Sequence, residues 1–246
     1  MKITIVGCGV VGMATGKGFM THGHEVHFYD VNEKVMSKLR GEGLNTGLYP
    51  SDIYFICTNE RDVENAVKML LDFDGLIVVR SSTLPKTVYR LMKKYDRHIC
   101  HNPEFLRTKY ALDDFLHPSR VVIGECCKKH GDDLEKLYEP FNSIIIRTTP
   151  TNSELVKLAC NAFLSTLISF WNEIDLIAEK FGADPKVIRK IAVLDERIPR
   201  YGAVRSGRFG GTCLPKDLIN FISACQKANY NPKILKAVKE VNEAIL

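Results

Sequence analysis

The sequence predicts an α/β protein: a mostly parallel β-sheet covered by helices, followed by an all-helical domain. Three observations lead to this prediction. The chain opens with an apolar strand, a glycine-rich turn, a helix and a second strand; strand–helix alternation continues to about residue 149; and a long apolar helix follows. We therefore expect a Rossmann-type nucleotide-binding domain over residues 1–149 and a helical domain over residues 150–246.

Composition narrows the class of protein. The 246 residues are 45% hydrophobic and carry a formal charge of +5, with basic and acidic residues interspersed. This pattern suits a small anionic ligand better than a nucleic acid. No signal-peptide pattern and no apolar run long enough to span a bilayer is apparent, so we expect a cytoplasmic protein with no membrane partner. The eight cysteines lack paired metal-type spacing, so we expect reduced thiols and no zinc site.

The first strand runs directly into the pattern G-x-G-x-x-G, within "KITIVGCGVVG". Such glycines permit a tight turn and the approach of a pyrophosphate to the N-terminus of the next helix. Asp30 ends the second strand and can accept hydrogen bonds from a ribose, whereas a 2′-phosphate would be repelled; this favours NAD over NADP. The residues predicted to hold NAD are Gly7, Gly9, Val10, Val11, Gly12 and Asp30, with Thr83 from a later loop.

Two further loops follow predicted strands, "SSTLPKT" with Thr83 and "HNPEFLRTKYA" with Glu104. In parallel sheets the loops at the carboxyl ends of the strands carry the functional site. Taken alone, each residue is better explained as an ordinary turn or helix-start residue.

The segment "TPTNSELVKLACNAFLSTLISFWNEIDLIAEKFG" predicts one long helix, with Thr151 and Glu154 as a capping box. Lys157 and Asn161 are four residues apart and therefore share a helix face. Their neighbours are apolar, and a buried lysine or asparagine needs a partner or a ligand. Lys157 could alternatively be a surface residue.

The stretch "GRFGGTCLPKD" places Cys213 before a predicted helix that Pro215 opens. A helix N-terminus favours thiolate over thiol, and Lys216 adds a positive charge nearby. Asp217 supplies a carboxylate. These residue types suit a nucleophilic cysteine, although a small buried cysteine at a helix start fits the stretch as well.

Together, these motifs resemble the UDP-glucose/GDP-mannose 6-dehydrogenase family over nearly the whole chain. "GCGVVG" is similar to the family's NAD site, "SSTLP" to its Ser-Thr-Val-Pro loop, and "NPEFLR…A…D…PSRVVIG" to its substrate loop. "ELVKLACNAFLSTLISFWNEI" is similar to its central helix and "FGGTCLPKD" to its catalytic-cysteine loop. The resemblance implies oxidation of a sugar C6 hydroxyl to a carboxylate in two NAD-dependent steps.

The resemblance also implies roles for individual residues. Cys213 would hold the intermediate aldehyde and form a thioester, and Lys157 and Asn161 would stabilise the oxyanion. Asp217 would position or deprotonate water, Glu104 would act as an acid or base, and Thr83 would orient water or the hydroxyl. The implied substrate contacts are Glu104, Phe105, Leu106, Lys157, Asn161, Arg197, Arg208 and Gly210. The substrate would be a UDP-sugar, and the chain would pair through residues 151–182 as a homodimer, Arg197 reaching the second copy's site.

Departures from the family pattern leave alternatives open. Thr108 stands where the family has glutamate, Arg208 stands in a loop that is normally glycine- and proline-rich, and the segment 43–49 is short. The resemblance does not extend to the family's C-terminal domain, which binds the nucleotide of the sugar substrate. A two-electron dehydrogenase of a hydroxy acid or sugar acid, and a non-catalytic NAD-binding dimer or half of a split enzyme, are the alternative functions.

Overall fold

The computed structural model describes residues 1–204 and 207–245. Arg205 and Ser206 of the arginine-bearing loop, and Leu246 at the end of the predicted helical domain, lie outside the described residues. The chain forms two compact units, Met1–Lys157 and Leu158–Leu246. Each unit is described by itself.

The first unit is built on a seven-stranded sheet with the order β2-β1-β3-β4-β5-β6-β7. All neighbouring strands are parallel except β5 and β6, which pair antiparallel through His101 and Gly124. The predicted fold class, a mostly parallel Rossmann-type sheet followed by helices, is confirmed. The strands are β1 (Lys2–Val6), β2 (Glu25–Tyr29), β3 (Ile53–Ile56), β4 (Leu76–Val79), β5 (Ile99–His101), β6 (Val121–Gly124) and β7 (Ile145–Thr148).

The central strands are buried on both faces because helices cover the sheet on each side. In β4, Leu76 and Val78 enter one apolar core while Ile77 and Val79 enter the other. The covering helices are α1 (Val10–Thr21), α2 (Glu33–Gly41), α3 (Val63–Met69), α4 (Thr87–Tyr95), α5 (Ala111–Leu116) and α6 (Lys128–Tyr138). The chain leaves β1 toward β2 on one side and returns to β3 on the other. The turn after β1 therefore lies at the point where the strand order reverses, the usual ligand position in such sheets.

The second unit is helical, as predicted. Helix α7 begins within the first unit and continues unbroken through the predicted segment. The second unit's core includes Ile168, Phe209, Leu218, Ile222 and Val238. Its helices are α7 (Pro150–Lys180), α8 (Pro185–Ala192), α9 (Leu214–Lys227) and α10 (Lys233–Ala244).

The predicted capping box of Thr151 and Glu154 is wrong. Helix α7 begins at Pro150, and the Thr149 hydroxyl accepts a hydrogen bond from the Asn152 N–H at 3.3 Å. Proline suits the first helical position because it has no N–H to leave unpaired, so Thr149 becomes the cap. Glu154 then lies in the second turn, and its carboxylate turns to another helix, α4.

The expectation that no apolar run could span a membrane was too strong. Helix α7 has 31 residues, and its most apolar window has a mean hydropathy of 1.2, which meets the length and composition of a membrane span. Half of that window is buried inside the folded chain. Core helices share these properties, so this one helix is weak evidence for a membrane span.

The fold brings two of the cysteines together with two histidines, although the sequence shows no metal-type spacing among the cysteines. Cys126 and Cys127 lie beside His98 and His130, with one potential ligand atom from each residue within 4.8 Å of all the others. The sequence hides this group because the fold brings His98, at the start of β5, to the chain that follows β6.

Candidate active site

The glycine-rich turn between β1 and α1 has the geometry of an anion-binding loop. Gly7 has a φ of +93°, and a Cβ there would lie 2.9 Å from the backbone of Cys57 and Thr58. A Cβ on Gly12 would lie 1.9 Å from the Gly7 carbonyl oxygen. Both positions therefore require glycine.

Gly9 differs from the other two glycines, since a Cβ at this position would meet no protein atom within 4 Å. Gly9 is the N-cap of α1, and its lack of a side chain leaves the helix N-terminus open. No described side chain caps that helix, whose first turn also contains no acidic residue. Val10 and Val11 begin the helix as predicted, so their N–H groups are placed to receive a pyrophosphate.

Asp30 follows β2 and lies beside the same turn. Its carboxylate accepts hydrogen bonds from the Cys8 N–H at 2.8 Å and from the Asn32 N–H at 2.9 Å. Gly7, Gly9 and Asp30 line a cavity of about 440 Å³. The open helix N-terminus, the required glycines and the fixed carboxylate fit the diphosphate and ribose of NAD.

Thr83 is buried after β4, and its hydroxyl donates to the Glu154 carboxylate at 3.2 Å. The same carboxylate accepts hydrogen bonds from the N–H groups of Lys86 at 2.6 Å and Val88 at 2.8 Å, at the start of α4. Glu154 thus caps α4 from α7. Burial raises the pKa of Glu154 to about 7. The sequence does not indicate this contact because the two segments are 68 residues apart.

Lys157 and Glu104, both predicted site residues, form a buried ion pair. The ammonium of Lys157 lies 2.7 Å from Oε1 of Glu104, and the two side chains are only 6% and 10% exposed. Oε2 of Glu104 accepts a hydrogen bond from the Leu106 N–H at 2.6 Å. The pair therefore holds the Lys157 ammonium beside the loop that follows β5.

Phe105 and Leu106 line a cavity of about 320 Å³ in the first unit. The guanidinium of Arg120 stacks 3.9 Å from the centroid of the Phe105 ring. Arg80 is also part of the lining; its guanidinium donates to the Asn102 side chain, while Nε has no partner in the described part of the chain. These cationic groups make the cavity suitable for an anionic or strongly polar ligand.

In the second unit, the structure brings Asn161 and Asp217 together. The Asn161 side-chain amide donates to Oδ2 of Asp217 at 2.6 Å, and both side chains are buried. The Lys216 ammonium lies 3.0 Å from the other carboxylate oxygen. Asp217 is thus held in one orientation between an amide and a partly exposed cation.

Cys213 is exposed and is the N-cap residue of α9, which has Pro215 in its first turn. Its carbonyl accepts a hydrogen bond from the Asp217 N–H at 2.9 Å. The thiol therefore lies at the positive end of a 14-residue helix, as predicted from the sequence. An exposed cysteine in this position can act as a nucleophile.

The loop before Cys213 is held by two buried asparagines. Asn172 donates to the Gly207 carbonyl and accepts from the Gly207 N–H, both at 3.0 Å. Asn242 forms the same two bonds with Phe209, at 3.2 and 2.8 Å. Arg208, between the two clamped residues, is exposed, as is Gly210.

Two polar residues from the sequence analysis lie at the surface. Arg197 is 88% exposed and pairs with Asp195 at 2.6 Å. Thr108, where the resembling family has glutamate, begins an exposed 3₁₀ turn.

His101 is a buried polar residue that the motifs in the sequence do not single out. Its Nδ1 lies 2.8 Å from the Ser153 hydroxyl, and burial lowers its pKa to about 4. The imidazole is therefore neutral near pH 7. Its position at the end of β5, three residues before Glu104, was the signal available in the sequence.

Sequence models of two domains match the chain. The NAD binding domain of the UDP-glucose/GDP-mannose dehydrogenase family matches residues 51–142, and the family's central domain matches residues 151–244. The chain is 31% identical to UDP-glucose 6-dehydrogenase TuaD of Bacillus subtilis, over 98% of this chain and 63% of the relative. It is 30% identical to UDP-glucose 6-dehydrogenase of Rickettsia bellii, over 99% and 67%.

A solved UDP-glucose dehydrogenase structure from Pyrobaculum islandicum is similar with a TM-score of 0.93 and 30% identity. The match covers 98% of this chain and 68% of that one. The chain thus spans about two thirds of the length of the relatives it matches. The resemblance found in the sequence is confirmed, and so is the assignment of NAD as the cofactor.

Proposed function

Because this chain belongs to the UDP-glucose/GDP-mannose dehydrogenase family, we propose that it oxidises the C6 hydroxyl of a nucleotide sugar to a carboxylate. The relatives named above are UDP-glucose 6-dehydrogenases, so a UDP-sugar is the proposed substrate. The observation that carries the proposal is the exposed Cys213 at the N-terminus of α9, one turn before the buried Asp217. The proposed location is the cytoplasm, where such a thiol remains reduced.

NAD, held at the glycine-rich turn, supplies the electron acceptor for both oxidations. The first oxidation takes the alcohol to an aldehyde, and the Cys213 sulfur then bonds to the carbonyl carbon. The thiol proton is transferred to the carbonyl oxygen, giving a thiohemiacetal. The second oxidation gives a thioester. Water then adds to its carbon, the C–S bond breaks, the carboxylate product leaves and the sulfur regains a proton.

The residues of each buried pair have proposed roles in these reaction steps. Lys157 and Asn161 stabilise negative charge on the oxygen of the reacting carbon, one as a cation and one as a hydrogen-bond donor. Glu104 holds Lys157 and serves as an acid or base in hydrolysis. Asp217 orients or deprotonates the attacking water, and Thr83 orients water or the reacting hydroxyl.

The substrate itself is proposed to meet Phe105, Leu106, Arg208 and Gly210. Phe105 and Leu106 line the cation-rich cavity of the first unit, which suits a phosphorylated ligand. Arg208 is exposed in a loop that Asn172 and Asn242 clamp on either side, so its guanidinium is carried on a fixed backbone. A phosphate of the nucleotide sugar is its proposed partner.

We further propose a homodimer formed through residues 151–182. Phe163, Phe170 and Ile177 recur every seven residues along α7 and are 55%, 50% and 46% exposed. Apolar residues at this spacing favour packing against a second helix. Arg197, which is exposed, would then reach the site of the second copy.

Sedimentation tests the dimer. The wild-type chain should sediment as a dimer at micromolar concentration, and Phe163→Ser/Phe170→Ser should sediment as a monomer. The control, Tyr89→Ser, changes an exposed aromatic residue on α4 and should leave the dimer intact. A wild-type monomer would contradict the proposed assembly.

The proposed reaction is tested by incubating the full chain with NAD and a panel of UDP- and GDP-sugars. Wild type should release two equivalents of NADH for each sugar consumed. Cys213→Ser should release at most one per site and lose complete turnover by about 10³-fold or more, the scale seen when a covalent nucleophile is removed. The control Cys225→Ser removes a cysteine from the same helix and should behave as wild type.

The alternatives predict other results. A two-electron dehydrogenase would give one NADH per turnover and nearly normal rates in Cys213→Ser. A non-catalytic NAD-binding dimer, or half of a split enzyme, would bind NAD and give no NADH with any sugar. Accumulation of a sugar adduct on Cys213 in Asp217→Asn, detected by intact-mass spectrometry, would support the thioester directly.

A further inference from the structure

Four side chains that can bind a metal lie together in the first unit, where β5 begins and β6 ends: His98, Cys126, Cys127 and His130. His98 directly precedes β5, whereas Asn102, Pro103 and Glu104 follow it. The group therefore lies at the end of β5 opposite to the proposed substrate-side loop. The proposed dehydrogenase mechanism uses none of the four.

The antiparallel pairing of β5 and β6 explains why the four residues meet. His101 pairs with Gly124, so the same register carried two and three residues further brings Ile99 opposite Cys126 and His98 opposite Cys127. His130 then returns from α6, whose N-cap is Cys127. Cys126 and His130 are four residues apart, close to one helical turn.

The distances fit one small ion. Nδ1 of His130 lies 3.2 Å from Sγ of Cys126 and 3.3 Å from Sγ of Cys127. Tetrahedral zinc, with bonds of about 2.0–2.3 Å, requires about 3.3–3.8 Å between neighbouring ligand atoms. The largest separation in the group is within 4.8 Å, so small side-chain rotations are enough to complete the tetrahedron.

The surroundings act differently on the two thiols. The neighbouring Cys100 and burial raise the pKa of the Cys126 thiol, so this thiol loses its proton on metal binding, whereas a helix N-terminus favours a thiolate at Cys127. Cys127 is at the N-terminus of α6, where the helix dipole stabilises negative charge. Buried Cys100 lies with its sulfur 3.5 Å from Sγ of Cys126, so its thiol can donate a hydrogen bond to a metal-bound thiolate. The rings of His98 and His130 are 4.9 Å apart with an interplanar angle of 68°, which allows their nitrogens to converge.

We propose that His98, Cys126, Cys127 and His130 bind one Zn²⁺ in a closed tetrahedral site. Two thiolates and two imidazoles are the ligand set of structural zinc sites, which have no open position for substrate. Binding releases the two thiol protons to solvent and leaves the site neutral overall. The ion fastens the N-terminus of α6 to the start of β5, and its role is structural.

Zinc content and cobalt substitution test the site in the full chain. The chain purified from zinc-supplemented cells should contain one Zn²⁺ per chain by elemental mass spectrometry. After removal by a chelator, Co²⁺ alone should produce the strong visible bands of tetrahedral cobalt and the near-ultraviolet charge-transfer band of a thiolate ligand. Removal of zinc should also lower the midpoint of thermal unfolding.

Matched variants connect these signals to the four residues. His98→Gln changes an exposed side chain, so the variant should fold, yet its Zn²⁺ affinity should fall at least 100-fold. Cys127→Ser should lose the same affinity and alter the charge-transfer band. Cys225→Ser, which removes a cysteine of the second unit, should retain one zinc and the full cobalt spectrum.

Three results would overturn the proposal. One is binding of zinc that is substoichiometric, or equal in wild type and His98→Gln. Another is a cobalt spectrum without the tetrahedral and thiolate bands. The third is a Cys100–Cys126 disulfide in the chain as isolated under reducing conditions, detected as an intact mass lower by two hydrogen atoms, since oxidation would consume a ligand. None of these readouts depends on dehydrogenase activity, so the zinc site and the proposed reaction can fail separately.

Discussion

Glu104 and Asp217 are buried carboxylates in different units, and different kinds of partner hold them. Glu104 contacts the Lys157 ammonium, so a full charge compensates it. Asp217 accepts a hydrogen bond from the neutral Asn161 amide, and its only cation among the described residues is Lys216 on the rim, 45% exposed. A buried carboxylate compensated by a full charge should therefore depend on its partner more than one held by a neutral amide. Removing a partner is therefore the direct test of each arrangement.

The largest effect is expected when the ion pair is broken. Lys157→Met leaves Glu104 buried without its cation, which should lower the free energy of unfolding by about 3–5 kcal/mol. Chemical denaturation measures the loss. The control is the double variant Lys157→Met/Glu104→Gln, which removes the charge as well and should recover much of the stability. A loss below about 1 kcal/mol in Lys157→Met would mean that the pair behaves as a surface salt bridge.

A third buried carboxyl group, Glu154, extends the comparison because a hydroxyl and backbone N–H groups are its hydrogen-bond donors in the described part of the chain. Its folded pKa of about 7 lies above its ordinary value of 4.5. Between these values the folded chain holds a proton that the unfolded chain has lost. Stability from this group is therefore complete below pH 4.5 and is lost as the pH rises toward 7 and above.

Ionisation of Glu154 should lower the free energy of unfolding by about 3 kcal/mol, since each pKa unit corresponds to about 1.4 kcal/mol. Glu154→Gln cannot ionise, so its unfolding free energy should fall less than that of wild type between pH 5 and pH 8. Urea denaturation at both values measures the difference. Parallel pH profiles for the two proteins would contradict the raised pKa.

These contacts also show which parts of the site could be predicted from the sequence. The glycine-rich turn, the start of α1 at Val10 and the Cys213 helix were predictable because each depends on residues close in the chain. The Lys157–Glu104 pair joins residues 53 apart, so the sequence indicated that Lys157 needs a partner without identifying it. The predicted capping box failed because its carboxylate is used by α4, a contact that only the tertiary fold creates.

The proposed zinc ligands also depend on a tertiary contact that the sequence does not reveal. Cys127 and His130 are separated by two residues, a spacing that was visible in the sequence. His98 joins them because β6 runs antiparallel to β5, and the predicted mostly parallel sheet did not indicate which strands would be reversed. The change of strand direction between β5 and β6 therefore decides whether the four side chains meet.

The neutral partner of Asp217 should matter less than the cation of Glu104. Asn161→Leu leaves the Asp217 carboxylate with Lys216 and should lower the free energy of unfolding by about 1–3 kcal/mol, the cost of a buried acceptor without its donor. The double variant Asn161→Leu/Asp217→Leu, with two apolar groups in contact, should be closer to wild type. If Asn161→Leu costs as much as Lys157→Met, the distinction between the two pairs is wrong.

The smallest effect concerns Asp30, whose carboxylate is only partly buried and is held by two backbone N–H groups. A 2′-phosphate on the adenosine ribose would meet this fixed negative charge, and no arginine follows in "DVNEK" to offset it. NAD should therefore bind at least about tenfold more tightly than NADP, a difference of about 1.4 kcal/mol. Asp30→Asn keeps an acceptor for Cys8 while removing the charge, so the ratio of the two dissociation constants should fall toward one, mainly through tighter NADP binding. Calorimetric titration with both cofactors measures the ratio, and equal affinities in wild type would show that Asp30 does not select the cofactor.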